Sequence, residues 1–143
     1  MMGAVVRGLM EKGGYSVGIA PKFFDQKGVL YTGCSELIFT DTMRERKAEM
    51  EKRADAFCVM PGGIGTMEEF FEIFTLKQLK QHDKPIAVFS IEGYYEPLER
   101  LLAHMEENCF MDRECRSLYK ISRDPKELLA YLNTFTHGRQ GED

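Results

Sequence analysis

The feature that most constrains the fold of this chain is a glycine-rich turn between a short apolar run and a long helical pattern. Residues 56–60 are apolar and rich in strand formers, and Pro61, which has no N–H group, ends the run. Three of the next four residues are glycines, which adopt backbone angles that other residues resist and let another molecule approach the main chain closely. The segment therefore predicts a strand, a turn at 61–65 and a helix over 66–81.

The start of this predicted helix has two interpretations, one functional and one purely structural. A helix N-terminus after a glycine turn presents unpaired N–H groups and the positive end of the helix dipole, which favour a phosphate or another anion. Thr66 and Glu69 also have the spacing of a capping box, in which a hydroxyl and a carboxylate satisfy backbone N–H groups at the helix start. The position of Glu69 favours function, because it begins a stripe with Ile73 and Leu76 at helical spacing. A carboxylate there is predicted to be partly buried and to need a partner.

The rest of the chain alternates between strand-like and helix-like segments. In chain order the predicted elements are helix 1–12, strand 15–20, strand 36–40, helix 43–54, strand 56–60, helix 66–81, strand 86–91, helix 94–108, a short helix 111–115, strand 118–121 and helix 125–135. Such alternation predicts an α/β fold, a parallel sheet with helices on both faces. We predict one domain over 1–135 and a polar, disordered tail over 136–143.

Composition narrows the class of protein. The net charge of -4 gives no support to a nucleic-acid surface, and no apolar run is long enough to cross a membrane. The apolar part of the amino end is too short for a signal peptide, and the three histidines show no metal-ligand spacing. The four cysteines lack C-x-x-C spacing, which indicates a reduced, cytoplasmic protein, and Cys58 is predicted to be a buried thiol.

The predicted helix 43–54 carries a second candidate group. Met43, Met50 and Ala54 form a stripe that is predicted to face inward, with Arg46 and Lys47 beside it. One interpretation is a solvated helix whose long cations extend along the core to reach water. The other is that the helix brings a guanidinium, which suits a phosphate or a carboxylate, to the sheet edge where Glu69 begins its helix.

Two motifs together carry a resemblance to a known family. The pattern P-G-G-x-G-T-x-x-E spans 61–69 and M-x-E-R-K spans 43–47, with a further G-Y-Y-x-P-L segment at 93–98. In these motifs the chain resembles the LONELY GUY family, the cytokinin riboside 5'-monophosphate phosphoribohydrolases, which are also described as possible lysine decarboxylases. The likeness extends from the first residue to about residue 132.

The resemblance implies a Rossmann-like fold, a homodimer or a higher assembly, and hydrolysis of the N-glycosidic bond of an adenine-type nucleoside 5'-monophosphate. The products would be the free base, a cytokinin, and ribose 5-phosphate, with no metal or redox cofactor. Carried over by motif, the catalytic residues are Arg46 and Glu69, and the substrate- and phosphate-binding residues are Lys47, Gly62, Gly63, Ile64, Gly65 and Thr66.

The chemistry of such a reaction fits these residue types. Breaking the glycosidic bond develops positive charge on the ribose, which the carboxylate of Glu69 would stabilise while it orients the attacking water. Arg46 would hold the phosphate or the ribose and keep Glu69 ionised. Binding energy from the 5'-phosphate would then position the reacting carbon.

Two alternatives stand beside this hypothesis. One is a nucleotide or cofactor carrier on the same fold, without chemistry, similar to the molybdenum cofactor carrier proteins. The other follows from a departure from the family, whose members have a further strand, helix and strand before the residue that matches Met1. This comparison leads us to expect an amino-terminally truncated relative of the family. The second alternative is that this truncated relative is inactive.

Overall fold

The structure is a computed structural model that describes residues 1–25 and 30–136, except for the side chain of Thr136. The helices are α1 (Met2–Glu11), α2 (Lys22–Asp25), α3 (Met43–Arg53), α4 (Ile64–Gln78), α5 (Glu96–Glu107) and α6 (Pro125–Thr136). The strands are β1 (Val17–Pro21), β2 (Glu36–Thr40), β3 (Phe57–Val59), β4 (Ile86–Phe89) and β5 (Lys120–Ser122). The chain forms two compact units, Met1–Ala54 and Asp55–Asp143, and each is described by itself.

The first unit is built on a parallel pair of strands, β1 and β2, against which α3 packs. Two serines that precede the strands tie them together. The main-chain N–H of Ser16 donates to Ser35 Oγ at 3.1 Å, and the N–H of Ser35 donates to Ser16 Oγ at 2.9 Å. This reciprocal pair sets the register, in which Val17 lies opposite Glu36.

Helix α1 ends where the two glycines predict an end. The N–H of Gly14 donates to Leu9 O at 3.0 Å and that of Gly13 to Met10 O at 2.9 Å, and Gly13 has a φ of 73°. This is a Schellman ending, in which a left-handed residue lets the last carbonyls of the helix find partners. Glycine adopts that conformation without the steric cost of a Cβ atom.

Helix α3 begins as predicted but does not bury the predicted stripe. Thr42 caps it, because its Oγ1 accepts from the N–H of Glu45 at 3.1 Å. No residue of α3 is fully buried, and Met50 is 36% exposed. The prediction of an inward stripe is therefore wrong at Met50, whereas Met43 and Ala54 are half-buried. The polar composition of this helix leaves it resting on the strands without a fully buried residue.

The second unit contains a parallel sheet in the order β3-β4-β5. On one face, side chains of the strands join those of α4 and α5 in one hydrophobic core. Its buried members are Val59, Phe70, Phe74, Ile86, Val88, Tyr95, Leu98, Leu102, Met111, Cys115 and Tyr119. The aromatic rings of Phe70 and Phe74 stack in parallel with centroids 5.6 Å apart, and both meet Tyr119 edge-on.

Helix α6 covers the opposite face of that sheet. It packs against β4 and β5, and Glu127 on the helix bonds Lys120 on β5 at 2.6 Å. Ala87 on β4 lies in register with Lys120 and is fully buried. This burial is expected for a strand residue on a face that a helix covers. The fold class is therefore α/β, with parallel sheets flanked by helices as in a Rossmann-like fold.

A second burial prediction and the bounds of one short helix also differ from expectation. Cys58 lies on the outer strand of the order β3-β4-β5, and its thiol is exposed, so the prediction of a buried thiol is wrong. The predicted short helix at 111–115 is a 3-10 helix, Arg113–Leu118. Of the tail predicted over 136–143, residues 137–143 lie outside the described residues. The single domain over 1–135 stays a prediction.

Candidate functional site

The glycine turn leads directly into helix α4, which begins earlier than predicted. Its N-cap is Gly63, and the first intrahelical bond joins the N–H of Met67 to Gly63 O at 3.1 Å. Thr66 therefore lies in the first turn and not at the cap, so the capping-box interpretation of Thr66 and Glu69 is wrong. The N–H groups of the first helical residues, beginning with Ile64, have no partner within the helix and mark a place where an anion is stabilised.

The three glycines of the turn have different surroundings. A Cβ atom added to Gly62 would collide with Thr66 Oγ1, so the backbone and this threonine pack too closely for any other residue. A Cβ added to Gly63 or Gly65 would meet none of the described atoms within 4 Å. The backbone at these two positions therefore borders open space, and a ligand can approach it closely.

Glu69 lies on α4 between the exposed first turn and the core. Its side chain is half-buried, as predicted, and the next residue, Phe70, is 1% exposed. A carboxylate so close to the core is less hydrated than one in open solvent, which strengthens its interaction with a positive charge nearby. Ile64 at the start of the same helix is 89% exposed.

Two tyrosines hold the main chain of the turn from the side. The hydroxyl of Tyr94 donates to Gly62 O at 2.8 Å, and that of Tyr95 donates to Met60 O at 2.7 Å. Burial raises the pKa of the Tyr95 hydroxyl, which keeps the phenol protonated and able to donate. These tyrosines were assigned no role from the sequence. The G-Y-Y segment could have indicated one, because it follows a predicted buried strand whose end lies at the edge of the sheet where ligands bind.

The predicted cations lie in the first unit. Arg46 on α3 donates from its Nε to the main-chain oxygen of Ile19 on β1 at 2.9 Å, and its side chain is half-buried. Lys47 beside it is also half-buried. The structure thus brings the glycine turn and Glu69 together on one element of the second unit, and Arg46 and Lys47 together on one helix of the first.

Metal sites and membrane spans are two other features that the described residues lack. In residues 1–25 and 30–136, no group of three or more histidine, cysteine, aspartate or glutamate side chains is arranged to hold a metal ion. None of the helices that the structure describes is both long enough and apolar enough to span a membrane. The turn itself offers main-chain N–H groups, and the helix that follows it offers the carboxylate of Glu69.

Known proteins are similar to this chain over nearly its whole length. A family model described as "Possible lysine decarboxylase" matches residues 2–132. The chain is 34% identical over 140 residues to the probable cytokinin riboside 5'-monophosphate phosphoribohydrolase LOGL1 of Oryza sativa subsp. japonica, covering 98% of this chain and 63% of the relative. It is 33% identical over 135 residues to the cytokinin riboside 5'-monophosphate phosphoribohydrolase LOG5 of Arabidopsis thaliana, covering 94% of this chain and 59% of the relative.

The share of this chain that is matched and the share of each relative that is matched are different quantities. The family model spans most of this chain, and the matched residues include both motifs, at 43–47 and at 61–69. The chain itself spans less than two thirds of the length of the curated relatives named here. The match over residues 2–132 establishes that this chain belongs to the possible lysine decarboxylase family, which is the LONELY GUY family that its motifs resemble.

Proposed function

We propose that this protein hydrolyses the N-glycosidic bond of an adenine-type, N6-substituted nucleoside 5'-monophosphate and releases the free base, a cytokinin, and ribose 5-phosphate. The observation that carries the proposal is the start of α4, where exposed main-chain N–H groups and a half-buried carboxylate, Glu69, lie on one helix. The names of the rice and Arabidopsis relatives support the same reaction.

The 5'-phosphate is assigned to the turn formed by Gly62, Gly63, Ile64, Gly65 and Thr66. Open space beside Gly63 and Gly65 lets phosphate oxygens reach the main-chain N–H groups. The helix dipole adds about 0.3–1 kcal/mol for a negative charge at such an end. These interactions do not change during reaction, so their role is to fix the ribose in place for the chemical step.

Glu69 is assigned to the reacting carbon. As the bond to the base breaks, positive charge grows on the ribose ring, and a carboxylate that is already held near the ring stabilises it without reorganisation. The same carboxylate orients a water molecule, which attacks the ribose carbon on the side opposite the departing base. Arg46 and Lys47 are assigned to the phosphate and ribose, and the bond from Arg46 to Ile19 O keeps its guanidinium oriented.

The direct test is incubation of the protein with AMP and with N6-substituted AMP, followed by chromatographic detection of the free base. We expect release from the monophosphates and much slower release from adenosine, because a nucleoside has no anion for the turn to bind. Glu69→Gln should abolish release and leave AMP binding intact, because it removes the charge but keeps the size. Comparable rates with adenosine and AMP would contradict the assignment of residues 62–66.

The carrier without chemistry remains the second candidate, because a phosphate held at the α4 N-terminus would serve binding alone as well as it serves hydrolysis. The same assay separates the two. A carrier binds AMP but releases no base, and its Glu69→Gln variant is indistinguishable from the unchanged protein. Release that depends on Glu69 excludes the carrier.

We also propose that the protein is cytoplasmic and that it acts as a homodimer or a higher assembly. All four cysteines are free thiols, which is typical of proteins in reducing compartments. Large apolar side chains on α1, including Met2 and Val5, are exposed and offer a surface for association.

A further inference from the structure

The tyrosines at 94 and 95 bond the main chain of the turn at two different carbonyls. Tyr94 reaches Gly62 O and is about half exposed, whereas Tyr95 reaches Met60 O and is 3% exposed. Their rings meet edge-on with centroids 5.0 Å apart. Because the residues are adjacent, a contact that anchors the backbone at Tyr95 also restricts the position of the Tyr94 backbone.

A buried serine fixes that backbone. Ser90, which is 2% exposed, accepts a hydrogen bond at its Oγ from the N–H of Tyr95 at 2.9 Å, and its own N–H donates to Ser122 O at 2.9 Å. Gly93 completes the turn with a φ of 80°, where a Cβ atom would lie 2.7 Å from Glu96 Oε1. The two tyrosine side chains are thus presented to the glycine turn by a closely packed segment.

The bond from Tyr94 determines the direction of an N–H group that it does not touch. The Gly62 carbonyl belongs to the same peptide plane as the N–H of Gly63, and the described residues contain no cis peptide bond. In a planar trans peptide the C=O and the N–H point in opposite directions. A hydroxyl bound to Gly62 O therefore turns the Gly63 N–H away from Tyr94. It also polarises the peptide, which makes that N–H a better donor.

We infer that Tyr94 is a positioning residue that orients the Gly63 N–H toward the 5'-phosphate, an inference that rests on the function proposed above. Gly63 is the N-cap of α4, so its N–H lies beside those of the first helical turn. Gly63 has open space beside its α-carbon and no side chain to hinder the phosphate. Tyr95 instead holds Met60 O, two residues before Gly62, and its burial gives it a share in the core that Tyr94 does not have.

The test is Tyr94→Phe, which removes the hydroxyl and keeps the ring that packs on Tyr95. We expect the dissociation constant for AMP to rise about threefold to tenfold, the effect of losing one hydrogen bond. The dissociation constant for adenosine should not change, because the Gly63 N–H contacts only the phosphate. The control is Tyr15→Phe, which removes an exposed hydroxyl bonded to Glu36 Oε2 at 3.1 Å in the first unit and should affect neither ligand.

The Gly63 amide provides a second measurement that needs no ligand. In isotope-labelled protein its nuclear magnetic resonance should shift in Tyr94→Phe and stay in place in Tyr15→Phe. If the unchanged protein binds no AMP, the proposed function fails, and this resonance still decides whether Tyr94 orients the Gly63 amide. Equal weakening of AMP and adenosine would overturn the inference, as would an unchanged AMP affinity or a Gly63 resonance that does not move.

Discussion

At the scale of single residues, Arg46 and Arg44 form a matched pair on α3. Arg46 is half-buried and bonded to Ile19 O, whereas Arg44 is exposed. We expect Arg46→Ala to lower kcat/KM for a nucleoside monophosphate at least about tenfold, because a hydrogen bond to a charged group is worth about 1.5–3 kcal/mol. Arg44→Ala should have little effect. Steady-state kinetics of both variants checks this, and equal small losses would contradict the assignment of Arg46.

Gly65 offers a residue-scale test in which stability and binding change in opposite directions. It lies in the first turn of α4 beside open space. Gly65→Ala should stabilise the helix by up to about 1 kcal/mol, because glycine is the weaker helix former. The added methyl group should weaken AMP binding, because it occupies the space through which phosphate reaches the main chain.

The control for that substitution is Gly8→Ala. Gly8 lies within α1, where a Cβ atom also meets nothing among the described atoms within 4 Å. It should raise the melting temperature without any effect on AMP binding. Thermal unfolding and AMP titration of both variants give the comparison. Tighter or unchanged AMP binding by Gly65→Ala would count against a phosphate at the turn.

At the scale of elements, the end of α4 carries a strained residue. Lys80 has a φ of 58°, and its N–H donates to Lys77 O at 3.0 Å while that of Gln81 donates to Leu76 O at 2.9 Å. This is the same ending as in α1, with lysine where α1 has glycine. A left-handed residue other than glycine costs about 1–2 kcal/mol.

We therefore expect Lys80→Gly to stabilise the protein by about 1 kcal/mol, which corresponds to a melting temperature about 4 °C higher. Gln78→Gly, two residues earlier and still inside the helix, should destabilise it instead. Thermal unfolding of the two variants measures both effects. A lower melting temperature for Lys80→Gly would show that the lysine side chain contributes more than its backbone costs.

At the scale of the whole molecule, exposed apolar side chains predict self-association. Met2, Val5 and Leu9 on α1 are each at least 40% exposed. Side chains of this kind on one helix form an apolar surface that is stabilised by burial against another copy. We expect a dimer or a larger assembly in size-exclusion chromatography with light scattering. Val5→Lys should weaken it, and a folded monomer at micromolar concentration would contradict the prediction.

Much of the fold was predictable because its determinants are local. The stop of α1 at Gly13, the cap at Thr42 and the proline at the start of α6 follow from residues with particular backbone preferences. The strands were found because their apolar runs are short and bounded by turn residues. The burial of Met50 and Cys58 was predicted wrongly, because burial depends on which surface a distant element covers.

The same local pattern gave two different results at the two helix starts. Both Thr42 and Thr66 are followed by methionine and, three positions on, by a glutamate. Thr42 caps its helix, whereas α4 begins two residues before Thr66, at Ile64. Glycine before Ile64 adopts the extended cap conformation as readily as threonine does, so the helix extends back to the turn. The sequence therefore indicated a strand, a turn and a helix here, and the structure shows that the helix starts at Ile64.

The sequence by itself determined the α/β class, the order of strands and helices, and the glycine turn with Glu69 behind it. These follow from periodicity and from glycine and proline, whose effects act over a few residues. Only the tertiary structure decided that Tyr94 bonds Gly62, because the two residues are 32 positions apart. No local preference encodes such a bond; it exists because two parallel strands, β3 and β4, end at the same edge of one sheet.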